Sequence, residues 1–153
     1  MSSRSSSENF RRILGRVVQQ DFVGRAGELD RIMVQVEPAN AGRGLLLLME
    51  PSAGVSELLR QAYDQIFNQR TDVIPIYFAI SRNETTAVSA AIEFLNTFVQ
   101  QYIAYRRDEP VVSHAPLTLH DLLELAPPAD FEWIEQLVES YNRLRFSNDD
   151  KAL

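Results

Sequence analysis

Leu45-Leu46-Leu47-Leu48-Met49-Glu50-Pro51-Ser52-Ala53-Gly54-Val55-Ser56-Glu57-Leu58-Leu59-Arg60 is the stretch on which the fold turns. Its apolar run has no polar face, which predicts a strand over 45–49 covered on both sides, as in a parallel sheet. Pro51 and Gly54 then turn the chain, and Leu58, Leu59, Ala62, Tyr63 and Ile66 recur three and four apart, which predicts a helix over 55–68. A second run, Val73-Ile74-Pro75-Ile76-Tyr77-Phe78-Ala79-Ile80, is rich in β-branched and aromatic residues and predicts a second strand, with Pro75 removing one ladder donor. Strand, helix and strand in this order imply a right-handed parallel crossover and a three-layer α/β architecture with few strands.

The turn between the first strand and its helix has the spacing of a phosphate-binding loop with exchanged residues. The working pattern is Gly, four variable residues, Gly, Lys and then Ser or Thr, between a buried strand and a helix. With Gly54 as the second glycine, Met49 stands at the first glycine, Val55 at the lysine and Ser56 at the hydroxyl. Glycines let backbone N–H groups curl round phosphate, the lysine offsets its charge, and the hydroxyl reaches Mg²⁺. Val55 supplies no charge, and the single lysine of the chain is Lys151. Gly54, Ser56 and the helix N-terminus still offer backbone donors and the positive end of a helix dipole. An ordinary strand-to-helix turn built on Pro51 and Gly54 accounts for the same residues.

Upstream lies Phe22-Val23-Gly24-Arg25-Ala26-Gly27-Glu28-Leu29. Together with the loop it resembles, over residues 20–81, the signalling branch of the P-loop ATPases, called STAND, and their AAA-like relatives. The loop keeps Pro51, Gly54, Ser56, Leu58 and Leu59 of the family's Gly-x-Pro-x-x-Gly-Lys-Ser-x-Leu-Leu form. The resemblance implies a P-loop NTPase-like domain over 8–153, either the N-terminal part of a longer domain or a reduced one. It implies that Val23, Gly24 and Arg25 line an adenine pocket. It implies further that Pro51, Ser52, Ala53, Gly54, Val55, Ser56 and Glu57 face phosphate and that Ser56 meets the metal. Met49 and Val55 make this Walker A degenerate, and no Walker B strand ending in acids follows. ATP or ADP binding with Mg²⁺ is then weak or lost, and hydrolysis by this chain alone is absent, as in a pseudo-ATPase of a signalling or regulatory protein. The competing reading is a non-enzymatic assembly module whose apolar helix faces dock a protein partner or a second copy.

Elsewhere the sequence reads as helices. Phe10, Ile13, Leu14, Val17 and Val18 predict a short amphipathic helix over 8–20, weakened by Gly15, and Leu29, Ile32, Met33 and Val36 predict another. Asn83 to Thr86 offer cap oxygens for a long helix faced by Val88, Ala91, Ile92, Leu95, Phe98, Val99 and Tyr102. Thr118 with Asp121 resembles a capping box, Pro127-Pro128 stops that helix, and Asp130 opens a last one carrying Trp133, read as an anchor in the helical layer or a partner contact rather than a stacking platform for nucleic acid. No third strand is predicted after residue 81.

At 153 residues and 45% hydrophobic, the chain is long enough for one domain with a sizeable core. Residues 1–7 read as a polar, disordered tail. Cysteine is absent, which excludes thiolate chemistry and suits a reducing, cytoplasmic compartment, and no apolar stretch approaches the length of a membrane span. From Asp108 to Asn142 there are eight acids and no arginine or lysine, which opposes nucleic-acid binding there and leaves only the N-terminal arginines for it. His114 and His120 have a poor metal spacing, and Asp121, Glu124, Glu132 and Glu135 read as ordinary helix surface rather than a catalytic carboxylate pair.

Overall fold

The computed structural model describes residues 10–40, 42, 44–50, 52–80 and 86–149, the side chains of 38 and 144–149 excepted. Five α-helices carry it: α1 (Ala26–Gln35), α2 (Val55–Gln69), α3 (Ala87–Arg107), α4 (Leu119–Leu125) and α5 (Phe131–Asp149), with 3-10 turns at Gln19–Asp21, Pro38–Asn40 and Pro110–His114. The chain divides into two compact units, one ending at Tyr77 and the other starting at Phe78.

In the first unit α1 packs on α2. α2 begins after Gly54, whose φ of 79° is one that L side chains rarely adopt, and stops at Arg70, which is also left-handed at φ 50°. Leu58, Ala62, Tyr63 and Ile66 of the predicted stripe are buried, Phe67 joins them unpredicted, and Leu59 of the predicted stripe stays 37% exposed. Each large side chain so buried stabilises the unit by roughly 1.5–3 kcal/mol. The guanidinium groups of Arg11 and Arg70 lie over the Phe67 ring at 5.6 and 5.5 Å.

The second unit is built on α3, which packs against the Pro110–His114 turn and α4, while α4 also packs on α5. Thr86 opens α3 in a capping box with Ser89, and Arg106 and Arg107 in its last turn suit the negative end of the dipole. Thr118 and Asp121 form the predicted capping box of α4. Val99, Ile103 and Ile134 are fully buried, so α3 and α5 supply the centre of the core. Phe78, Phe94, Phe98, Tyr102 and Trp133 form a row of ring contacts, ending with Trp133 edge-on to Tyr102 at 4.8 Å. Trp133 is thus an anchor of the helical layer. Asp130 accepts a 2.8 Å hydrogen bond from Arg106 Nε, tying the start of α5 to the end of α3.

The predicted three-layer α/β architecture with its parallel sheet is not what forms: the described residues are helical and contain no β-strand. A strand exists only as a member of a ladder, and an isolated extended run has no partner for its N–H and C=O groups. Leu45–Met49 is such a run, with Leu46 and Leu48 79% and 84% exposed instead of covered on both faces. The run 73–80 is interrupted by Pro75, and its rings turn to helices of their own units. Tyr77 lies beneath the Arg60 guanidinium at 5.3 Å, and Phe78 meets Phe94 at 5.3 Å.

The predicted helix over 8–20 is also overturned where it is described. Residues 10–18 are irregular and only Gln19–Asp21 makes a 3-10 turn. Their backbone donors are claimed by side chains of α2 instead of by a helical ladder, as set out below. The expected tail at 1–7 lies outside the described residues.

Candidate functional site

The loop between Met49 and α2 departs from ordinary geometry at two places. Ser52 and Gly54 both have positive φ, at 68° and 79°. Ala53 N–H closes a turn on the Glu50 carbonyl at 3.1 Å, which withdraws that donor from any ligand. α2 has no side-chain cap, and its first N–H groups lack intrahelical acceptors by the geometry of a helix start. Val55, Ser56 and Glu57 therefore open α2 with the positive end of its dipole, and Ser56 is exposed.

Arg25 brings a cation to this loop. It stands immediately before α1, where Leu29 N–H binds its carbonyl at 3.0 Å. Its Nη2 donates to the Ala53 carbonyl at 2.7 Å, and its Nη1 lies 3.9 Å from Met49 Sδ and 3.2 Å from Glu28 Oε1. The guanidinium thus touches both the position of the first loop glycine and the residue before Gly54. Of the residues assigned by resemblance, Arg25, Ala53 and the start of α2 are brought together. Val23 is not: it is 79% exposed. Gly24 has φ 80° and open space around it. Pro51 lies outside the described residues.

Glu57 does not face an open loop. Its Oε1 accepts N–H from Arg16 at 2.9 Å, from Val17 at 3.0 Å and from Gln61 Nε2 at 2.9 Å. Burial raises its proton affinity, but those N–H groups and the Arg60 charge prevail and hold the carboxyl below its ordinary range.

Three further α2 side chains continue this clasp on residues 10–18, here called the strap. Asp64 accepts N–H from Ile13 and Gly15 on Oδ2 at 3.1 and 3.0 Å and from Leu14 on Oδ1 at 2.8 Å. Gln61 Nε2 donates to the Val17 carbonyl at 2.7 Å. The Asn68 amide pairs both ways with the Arg11 backbone, at 3.0 and 2.8 Å. Asp64 is fully buried, and desolvation pushes its carboxyl above its ordinary value although the three N–H groups oppose this. Sequence reasoning missed this arrangement. Its signal was a polar row at 57, 61, 64 and 68 beside the apolar stripe of α2, the i, i+4, i+7, i+11 pattern of a single helix face.

Among the described residues no three His, Asp or Glu side chains gather as a metal set. His120 Nε2 lies 3.6 Å from Glu124 on the exposed face of α4. No helix of the described residues is long and apolar enough to cross a membrane.

Comparison of the chain with protein-family models, curated proteins and solved structures found no match.

Proposed function

We propose that this chain is a degenerate, ATPase-type nucleotide-binding module of a cytoplasmic signalling or regulatory protein, one that holds a nucleotide phosphate weakly and does not hydrolyse it alone. The observation that carries the reading is Arg25 on the loop. The lysine position holds Val55, yet a guanidinium reaches the same loop from before α1 and donates to the Ala53 carbonyl at 2.7 Å. Two positive-φ residues and the uncapped start of α2 add backbone donors beside it. Glu57 turns its carboxylate to the strap N–H groups, which partly offset its charge beside the opening of α2. ATP or ADP would then be held through its phosphates, with Ser56 as the hydroxyl for Mg²⁺. The test is an NMR titration of the full chain with Mg·ADP. Movement of the Val55, Ser56 and Glu57 amide signals ahead of all others supports the reading, and shifts confined to other regions refute it.

A second reading, a non-enzymatic assembly module, is favoured by the exposed apolar run. Leu46 and Leu48 are 79% and 84% exposed on a segment whose backbone makes no ladder, the kind of surface that recruits another chain. Sedimentation of the chain with and without nucleotide separates the two: association indifferent to nucleotide supports assembly.

A further inference from the structure

The first unit carries a second concave surface away from the loop. The C-terminal half of α1 and the residues after α2 enclose an open groove of about 560 Å³. Met33, Val34 and Val73 make its apolar floor, with Val34 52% and Val73 36% exposed. Asp30, Glu37 and Asp72 stand around it, all three exposed, and none has an ion-pair partner among the described residues. Among the described residues no arginine or lysine lines the groove. An apolar floor with an uncompensated acidic rim fits an apolar side chain flanked by cations.

The same unit presents that chemistry on the strap. The N–H groups of Ile13 to Val17 are spent on Asp64 and Glu57, and Arg12, Arg16 and Val17 are the exposed side chains of the strap, Val17 at 38%. Arg12 Nη1 donates to the Arg16 carbonyl at 3.5 Å, and neither arginine has a carboxylate partner among the described residues. Clasped by α2, the strap holds this pair of cations and the valine in one arrangement, so docking it costs little ordering entropy.

We infer that the groove takes the strap of a second copy of this chain, with Arg12 and Arg16 on the Asp30, Glu37 and Asp72 carboxylates and Val17 over Val34 and Val73. Groove and strap are different patches, so the contact is head-to-tail and repeats from copy to copy as a ring or an open row. Its charges lie at an exposed rim, so association is fast, weak and lost as salt rises. This names the partner surface of the assembly reading above, and rests on it, while being independent of nucleotide.

Sedimentation equilibrium on the full chain at low and high salt tests the inference, using Asp30→Arg with Asp72→Arg in one variant and Arg12→Glu with Arg16→Glu in another. The expected result is concentration-dependent self-association of the natural chain, weakened at least about tenfold in each variant, with mixed species restored when the two variants are combined. Recovery in the mixture excludes misfolding of either variant as the cause. Association of the natural chain that neither variant weakens overturns the groove and strap while leaving the assembly reading standing. A natural chain that stays monomeric over the whole concentration range overturns both, even where an added basic peptide binds the groove.

Discussion

Gly15 N–H donates to Asp64 Oδ2 at 3.0 Å, and a Cβ placed on Gly15 would stand 2.8 Å from that same oxygen. The two residues are in backbone-to-carboxylate contact with no room for a side chain between them, and the second obstacle, Gln61 Nε2, is equally near at 2.8 Å. Gly15→Ala should therefore lift the strap from α2 and cost about 1–3 kcal/mol, the usual range for overfilling a packed contact. Urea unfolding followed by circular dichroism measures this, and a variant as stable as the natural chain contradicts the clasp.

Asp64→Ala attacks the same contact from the other side. It leaves the N–H groups of Ile13, Leu14 and Gly15 without their acceptor, and each buried orphan costs about 1–3 kcal/mol. Released strap should also become a substrate for trypsin at Arg12 and Arg16. Faster cleavage there than in the natural chain is the expected outcome, and unchanged cleavage counts against the account.

The acids of the clasp titrate in opposite senses. Glu57 has its carboxyl lowered in the folded chain, so its contribution is present above the unfolded value and is lost as pH falls through the folded one. Asp64 is raised by burial, so its contribution is complete below the unfolded value and is lost as pH rises through the folded one. In Glu57→Gln, Asp121 is still lowered but loses its contribution only below the ordinary carboxylate value, so across the range just above it the slope follows Asp64 and the melting temperature should fall as pH rises. A melting temperature that climbs over that range in Glu57→Gln would reverse the assignment.

Thr118→Ala removes the side-chain acceptor for Asp121 N–H at 3.2 Å and the hydroxyl that donates to Asp121 Oδ2 at 2.7 Å. The loss should be about 1 kcal/mol, as for other N-caps, and thermal unfolding reads it. The Asp121 carboxyl, held below its ordinary range chiefly by Thr118, should rise toward that range in the variant, which a carboxyl-detected NMR titration follows.

What was legible in the sequence was local. Thr118 with Asp121, Thr86 ahead of a long apolar face, and the Leu58–Ile66 stripe each specify a helix through neighbours within four residues, and those helices formed. The run Leu45–Met49 reads as a buried strand only by assuming a ladder that residues far along the chain must supply, and among the described residues none does. The strap failed for a related reason. Its apolar spacing fits a helix, but Asp64, Glu57 and Asn68, distant in sequence, take its backbone donors and hold it irregular. For the candidate site, the sequence singles out the loop and Arg25 only through a resemblance, whereas the Arg25 donation to Ala53 is visible only in three dimensions.

The most direct test of the central claim is a calorimetric titration of Mg·ATP into the natural chain, Arg25→Ala and Val55→Lys under one set of conditions. The account predicts weak binding by the natural chain, loss in Arg25→Ala, and a gain in Val55→Lys, because each change alters the positive charge held at the same loop. Equal affinities in all three, or no binding even with the lysine restored, would contradict a phosphate site there.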